Sequence, residues 1–403
     1  MHNTKSKILP VTLLVFSLSI FAENQLDQSE NTNETSTDKT PECTNETTNC
    51  SESNSSSLIP VEKNNLPKRT TDSITRDDQI SLGNFNGQET TDYLYIGSSA
   101  YASYSSVAVG PSANASGNNS IAMGQYAYSG DESVAVGWDS NAYLKSTAIG
   151  YSALGANSTG GYNTAIGWKA MKDSTGGYSV AIGYSALLNA ENSYNVAVGV
   201  SALQANVNGE QNVAIGTYSQ INSLVSHNTS VGSQTLYTNT TGIHNTAIGG
   251  NALFSNTTGN RNTSVGNDSL YSNTTGYDNS AFGYYSMRST TTGYMNSAFG
   301  KQSLELNTEG IQNSAFGYQS LGSNTTGGAN TAIGMNALFS NTVSNYNTAL
   351  GFGAGFSSTG QSNVFIGHKA GYSATGSNNL YISSYDVDNS AERNLLYGNF
   401  ATG

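Results

Sequence analysis

Four histidines, two cysteines and a scatter of carboxylates are the groups from which a catalytic or metal centre would be built. His227 and His244 stand 17 residues apart, a distance that recurs through the C-terminal half, so their rings fall at equivalent positions of a repeat and stack on one face. A zinc ion asks for more ligands than two imidazoles, and turn filler is the role expected of this pair. Cys43 and Cys50 lie in a Thr/Asn/Glu-rich tract without histidine companions. In an exported chain they can pair, closing a small loop that staples no core. Serine and aspartate abound, but no nucleophile–base arrangement stands out. Asp77, Asp78, Asp386 and Asp388 read as solvated carboxylates, and the Asp-after-paired-glycine pattern of a calcium-binding nonapeptide repeat does not recur. These residues predict no enzyme, no metal centre and no cofactor.

A different chemistry, adhesion through exposed aromatic groups, is suggested by Trp138, Tyr151, Trp168, Tyr184, Tyr284, Tyr318 and Phe352, each directly after a glycine that ends an apolar block. Such a column is a candidate surface for glycans or protein partners. It also suits plain edge cover, in which each ring stacks on its neighbour, and that is the role scattered exposed apolar side chains usually have. The Asn-Thr-Thr triplets at Asn239, Asn256, Asn273 and Asn324 match the N-glycosylation pattern. Their regular recurrence marks them as structural turns.

What positions these residues is a short repeat. A block of the form Asn-Thr-Ala-Ile-Gly closes on Gly97, Gly110, Gly124, Gly137, Gly150, Gly167 and onward to Gly351 and Gly367, 18 copies in all. Asn379-Leu380-Tyr381-Ile382-Ser383 is a degenerate nineteenth. Steps are 13 or 14 residues up to Gly150 and 16 or 17 after it. The blocks are β-branched and alternating, which reads as a short strand. A coil of this length buries nothing alone, but stacked coils align like residues into a continuous narrow core. The fold class predicted is all-β, a parallel β-roll or β-solenoid with 13–17-residue coils.

Two apolar columns are expected to form that core. One is Leu236, Leu253, Leu270, Met287, Leu304, Leu321 and Leu338; the other is Ile248, Val265, Phe282, Phe299, Phe316, Ile333 and Leu350. Between the β-branched positions runs a small column that includes Ala108, Ala135, Ala165, Ala197, Ala247, Ala281 and Ala332. By alternation it is expected to point outward, either against a second surface that comes close or, as the plainer reading, because tight coils leave no room there. At its end the column turns bulky, with Phe365 and Tyr381, as an end cap would. Glycine at the corners supplies positive φ, and Asn columns hydrogen-bond successive coils as amide ladders do.

Composition divides the chain. Residues 23–82 hold no glycine, all 44 glycines come at Gly83 or later, and no proline follows Pro111. The glycine-free tract is too polar to offset chain entropy and reads as a disordered spacer. Lys5 and Lys7, then the apolar run Ile8–Phe21 and Ala22, read as a secretory signal peptide over residues 1–22. The organisation expected is therefore 1–22 signal peptide, 23–82 spacer, 83–150 short-coil roll, 151–383 long-coil roll and 384–403 cap or tail. The net charge of -12 disfavours a nucleic-acid partner.

The blocks Ser133-Val134-Ala135-Val136-Gly137 and Ser179-Val180-Ala181-Ile182-Gly183, with the early 13–14-residue spacing, resemble the head repeats of YadA-like trimeric autotransporter adhesins. The resemblance covers roughly residues 92–383. It implies a left-handed roll, a homotrimer with the small column near its axis, export to the cell surface or outer membrane, and an extracellular matrix protein, glycan or cell-surface ligand. Heads of that kind continue into a coiled-coil stalk and an outer-membrane barrel, and neither heptads nor barrel strands are read up to Gly403, which leaves export and anchoring open. The long unit and the segment from Gly371 to Phe400 are also similar to phage and viral tail-fibre proteins, whose implied role is a structural fibre module. An ice-binding solenoid is the third reading, suggested by the Thr pairs at 240–241, 257–258, 274–275 and 325–326. Adjacent threonines point to opposite faces, whereas a flat array wants them two apart, which weighs against it.

Overall fold

In the computed structural model, residues 80–82, 93–156, 160–383 and 396–400 are described. The expected signal peptide, Cys43, Cys50, Asp386, Asp388 and most of the polar spacer lie outside them. The described residues form 25 short strands and no helix. Each strand of the main ladder sits on the equivalent strand of the next coil, parallel and in register, so that Thr246, Ala247 and Ile248 lie against Thr263, Ser264 and Val265. The result is a parallel β-solenoid whose principal sheet has 21 strands. Only its end pairs run antiparallel: Ile80–Leu82 lies on Leu94–Ile96, and Leu396–Asn399 lies on Asn379–Ile382. The first of these strands comes from the tail of the segment read as spacer.

The orientation of the strand is the reverse of that expected. The central residue points into the coil: Ala108, Ala135, Ala165, Ala197, Ala247, Ala281 and Ala332 are all 0% exposed. The flanking residues Thr246 and Ile248, like Ser297 and Phe299, face outward. Alternation alone allows either solution; interior width decides. Each three-residue strand offers one inward side chain, and in the long coils that side chain meets the fully buried Leu/Met column from the opposite wall. Two bulky columns would overfill the coil, so a methyl group is what fits between the walls.

Coil length and core content change together. In the short coils the inside is lined by alanine and serine, among them Ala113, Ala115, Ser120, Ala127, Ser133 and Ala142. A second, four-stranded sheet from Tyr101–Ala102 to Asn141–Ala142 supplies part of that wall. The first core leucine is Leu154, directly after Gly150, and from there every long coil through Leu338 places Leu, Met or Gln at this site. These leucines sit at positive φ, 53° at Leu154 and Leu253. The left-handed backbone costs about 1–2 kcal/mol per residue, which burial of the side chain, worth about 1.5–3 kcal/mol, offsets.

Polar ladders run inside the long coils. Asn262 accepts the Asn279 backbone N–H through its side-chain oxygen (3.0 Å) and donates its side-chain amide to Gly276 O (2.8 Å); this pattern repeats at Asn279, Asn296 and Asn313. A second ladder links Asn239, Asn256 and Asn273 directly, side chain to side chain, at 2.9 and 2.7 Å. Buried amides linked in this way satisfy the turn carbonyls and hold the coils in register.

The glycines that close the blocks have φ between 112° and 138°. At Gly300 a Cβ would also stand 2.5 Å from Gly317 O, so no other residue fits.

Candidate binding surfaces

Two outward features run along the principal sheet. The first is a ridge formed by the outer flanks of its strands. The third position carries Ile149, Ile182, Ile215, Ile248, Phe299, Phe316, Ile333 and Leu350, all between 37% and 49% exposed. The first position carries Val, Thr, Ser, Ile or Leu, as at Val134, Thr164, Val213, Thr246 and Ser280. Neither position bears a charged residue from Leu94 to Ile382. With about 4.8 Å between neighbouring strands, the ridge is on the order of 85 Å long. A continuous apolar strip of that size is unusual on an unpartnered surface. The sequence did carry a signal for it: this column varies freely among Ile, Val, Phe, Leu and Met, as an unconfined column can, whereas from Ala108 to Ala349 the central column holds only Ala or Ser.

The second feature is the aromatic column that follows the closing glycines. Trp138, Tyr151, Trp168, Tyr184, Tyr284 and Tyr318 are all exposed, as expected. The first four form one continuous stack: centroids are 4.7 Å apart for Trp138–Tyr151, 5.9 Å for Tyr151–Trp168 and 4.5 Å for Trp168–Tyr184, with planes within 15° of parallel. Their faces are turned to one another and their edges to solvent. Lys169 caps the Trp168 ring at 4.1 Å. Tyr284 and Tyr318 are separated from this stack by Val200, Thr217, Ser233, Gly250 and Asn267 at the same position. Tyr284 stacks on Tyr285 at 3.8 Å, and Lys301 lies 5.8 Å from the rings of both Tyr284 and Tyr318. The hydrogen bond with Tyr285 raises the Tyr284 phenol above its ordinary pKa.

Other ladders went unread in the sequence, although their constant spacing was there to find. Tyr162, Tyr178 and Tyr194 stack at 4.8 and 5.3 Å, and Tyr237, Phe254 and Tyr271 at 5.1 Å. Stacking on neighbouring coils is the general fate of aromatic side chains on this solenoid.

His227 and His244 do meet, 5.1 Å apart with rings tilted by 37°. The same column continues with Arg261 and Asp278, joined by two hydrogen bonds of 2.6 and 3.0 Å. That contact holds the half-buried Asp278 carboxyl below the usual carboxylate range. Among the described residues no three of His, Cys, Asp or Glu gather into a possible metal cluster. The Asn-Thr-Thr asparagines point inward: Asn239, Asn256, Asn273 and Asn324 are fully buried, and each donates to the carbonyl three residues on. A glycan cannot be attached to an amide inside the coil.

Residues 102–127, in the short coils, match the family model of the YadA head domain repeat in two copies. No curated protein matches the chain. The match falls on strands whose inward alanines, Ala102, Ala108, Ala115 and Ala122, line the narrow core.

Proposed function

We propose that this chain is the head of an exported, surface-exposed adhesin that works as a homotrimer and attaches, without catalysis, to a matrix protein, glycan or cell-surface ligand. The observation that carries this reading is the charge-free apolar ridge. At about 85 Å by about 10 Å it offers on the order of 800 Å², the area each partner gives to a standard-size interface. A ridge of uniform character over the whole ladder suits a partner of the same length and the same coil period, which another copy of the chain supplies. The match to an adhesin head repeat adds support. The trimer axis thus lies beside the ridge instead of beside the small column, which the interior takes up.

Light scattering on the purified chain tests the assembly: a threefold mass is expected, and a monomer at micromolar concentration rejects it. Immobilised matrix proteins and glycans test attachment. Alanine at Trp138 and Trp168 should weaken retention at least tenfold if the aromatic stack is the contact strip, while mass and circular dichroism stay unchanged.

A structural fibre module is the second reading, and one observation favours it. The ring faces in the aromatic column are consumed by stacking, which leaves edges rather than faces for a ligand. Retention on no surface by a properly assembled trimer would select this reading.

A further inference from the structure

The aromatic column changes character in its second half. Tyr284, Lys301 and Tyr318 take the same position in three successive coils, so the two rings stand two coils apart, about 9.6 Å, instead of in contact. The Lys301 ammonium lies between them, 5.8 Å from each ring centroid. All three side chains are exposed. From Tyr284 the stacking turns across the coil. Tyr285 lies on it at 3.8 Å, and the Arg288 guanidinium lies 4.8 Å from Tyr285 and 5.5 Å from Tyr271. A pair of tyrosines is thus bracketed by two cations. Elsewhere in the long coils Lys172 and Arg261 are paired with Asp173 and Asp278. Arg288 and Lys301 form no ion pair with a described carboxylate. The acids nearest in sequence position are engaged by amides: Glu305 accepts from Gln302 and Asp268 from Asn251, each at 2.9 Å. Arg288 Nε is buried without a hydrogen-bond partner. An aromatic face holds a cation in place without neutralising it, so both charges remain available to a ligand.

Resting on the adhesin reading above, we propose that the strip from Arg288 through Tyr285 and Tyr284 to Lys301 and Tyr318 binds an acidic glycan in which carboxylate-bearing sugars alternate with uncharged ones. The carboxylates accept charge-assisted hydrogen bonds from Lys301 and Arg288. Uncharged sugar rings lay their C–H faces against the tyrosines, whose rings give apolar contact and whose hydroxyls give polar contact. Gln302 and Gln319 stand beside Lys301 and Tyr318 in the next column, and their amides suit hydroxyl and acetamido groups. The strip offers ring edges, amides and ammonium groups, which favours a polar polymer over an apolar peptide side chain. Asp268 and Glu305 keep the surrounding surface close to neutral, so a uniformly dense polyanion gains little from it. The stack from Trp138 to Tyr184 lacks this arrangement, because Lys169 caps a single ring there.

Titration calorimetry of the full chain with hyaluronate oligosaccharides, in which glucuronate alternates with N-acetylglucosamine, tests the site. Saturable binding is expected. Lys301→Gln and Arg288→Gln should each weaken it by about tenfold or more, the loss of one charge-assisted hydrogen bond, and Tyr284→Ala should do the same. Lys169→Gln should leave it unchanged. Wild-type affinity in all three strip variants overturns the proposal. A second measurement needs no variant: hyaluronate with its carboxylates methyl-esterified keeps its sugar rings, and it should not bind. Equal affinity for the esterified and free chains overturns the proposal. Dextran sulfate should bind more weakly than hyaluronate; tighter binding that falls away with added salt is general attraction for polyanions and overturns it too. A chain retained on matrix proteins that ignores hyaluronate overturns this inference and leaves the adhesin reading standing. Retention on no surface, immobilised hyaluronate included, removes both.

Discussion

Phe365 fills the space that a side chain at Gly355 would occupy: a Cβ at residue 355 would stand 2.8 Å from Phe365 Cδ2. In the preceding coils the leucine column is large and the strand centre small; here glycine replaces leucine and phenylalanine replaces alanine, and the interior stays filled. Phe365 and Tyr381 are thus core residues at the C-terminal end of the ladder, with rings stacked at 5.2 Å. Phe365→Ala should lose about 3–5 kcal/mol in urea unfolding through the cavity it leaves. Gly355→Leu alone should lose about 1–3 kcal/mol through overpacking. Combined, they rebuild the arrangement of the earlier coils, and the double variant should recover more than half the loss of Phe365→Ala. Simple additivity would show that the two sites do not share one volume.

The inner amide ladder has a gap that can be mended. Thr290 stands where Asn256 and Asn273 have their counterparts, and both Asn273 Oδ1 and Thr290 Oγ1 are buried without a partner. Thr290→Asn should supply a donor to Asn273 and stabilise the chain by about 1 kcal/mol. Asn256→Ala works in the opposite sense, removing donors to Asn239 Oδ1 and Gly259 O. It should cost about 2–4 kcal/mol. Hydrogen exchange localises the two effects, at the Gly276 and Gly293 amides for Thr290→Asn and at the Gly242 and Gly259 amides for Asn256→Ala.

Glycines of the same sequence neighbourhood divide sharply. Gly300→Ala puts a Cβ against Gly317 O at a φ of 138° and should prevent native folding or cost more than about 4 kcal/mol. Gly250→Ala meets nothing nearer than Asn267 at 3.9 Å and should change stability by less than about 0.5 kcal/mol. Thermal melts of the two variants side by side decide the point.

Gln220 interrupts the leucine column between Leu203 and Leu236. Its amide donates to Val213 O at 2.9 Å and to Ser230 Oγ at 2.8 Å, yet its oxygen is buried without a partner. Replacing the polar pair together, Gln220→Leu with Ser230→Ala, restores the composition of the neighbouring coils. The expected gain is about 1–2 kcal/mol, read from the urea midpoint. Loss of stability would mean that the polar patch is the better filling for this coil.

Period, strand positions, the leucine column and the amide ladders were legible because a repeat prints the same physical demand many times over. The inside and outside of the strand were not. A three-residue strand such as Thr246-Ala247-Ile248 satisfies alternation equally well with its centre or its flanks buried, and hydrophobicity favours the flanks. The narrowness of the coil, set by Leu253 and its left-handed backbone on the far wall, reverses that preference, and no single coil displays it. The aromatic column was legible as exposed. Its mutual stacking, which turns ring faces away from solvent, follows from the register between coils, a long-range property that local pattern does not report.

The reversed strands at the two ends of the ladder bear on how far such a structure grows. Parallel in-register coils are a template onto which more of the same can add, as in an amyloid fibril, where every new layer leaves an identical edge. Ile80–Leu82 and Leu396–Asn399 change the polarity of the outermost hydrogen-bonding edges, so an approaching coil finds a mismatched pattern. The chain is in this sense an oligomer of itself with a fixed degree of polymerisation, terminated at both ends by its own backbone.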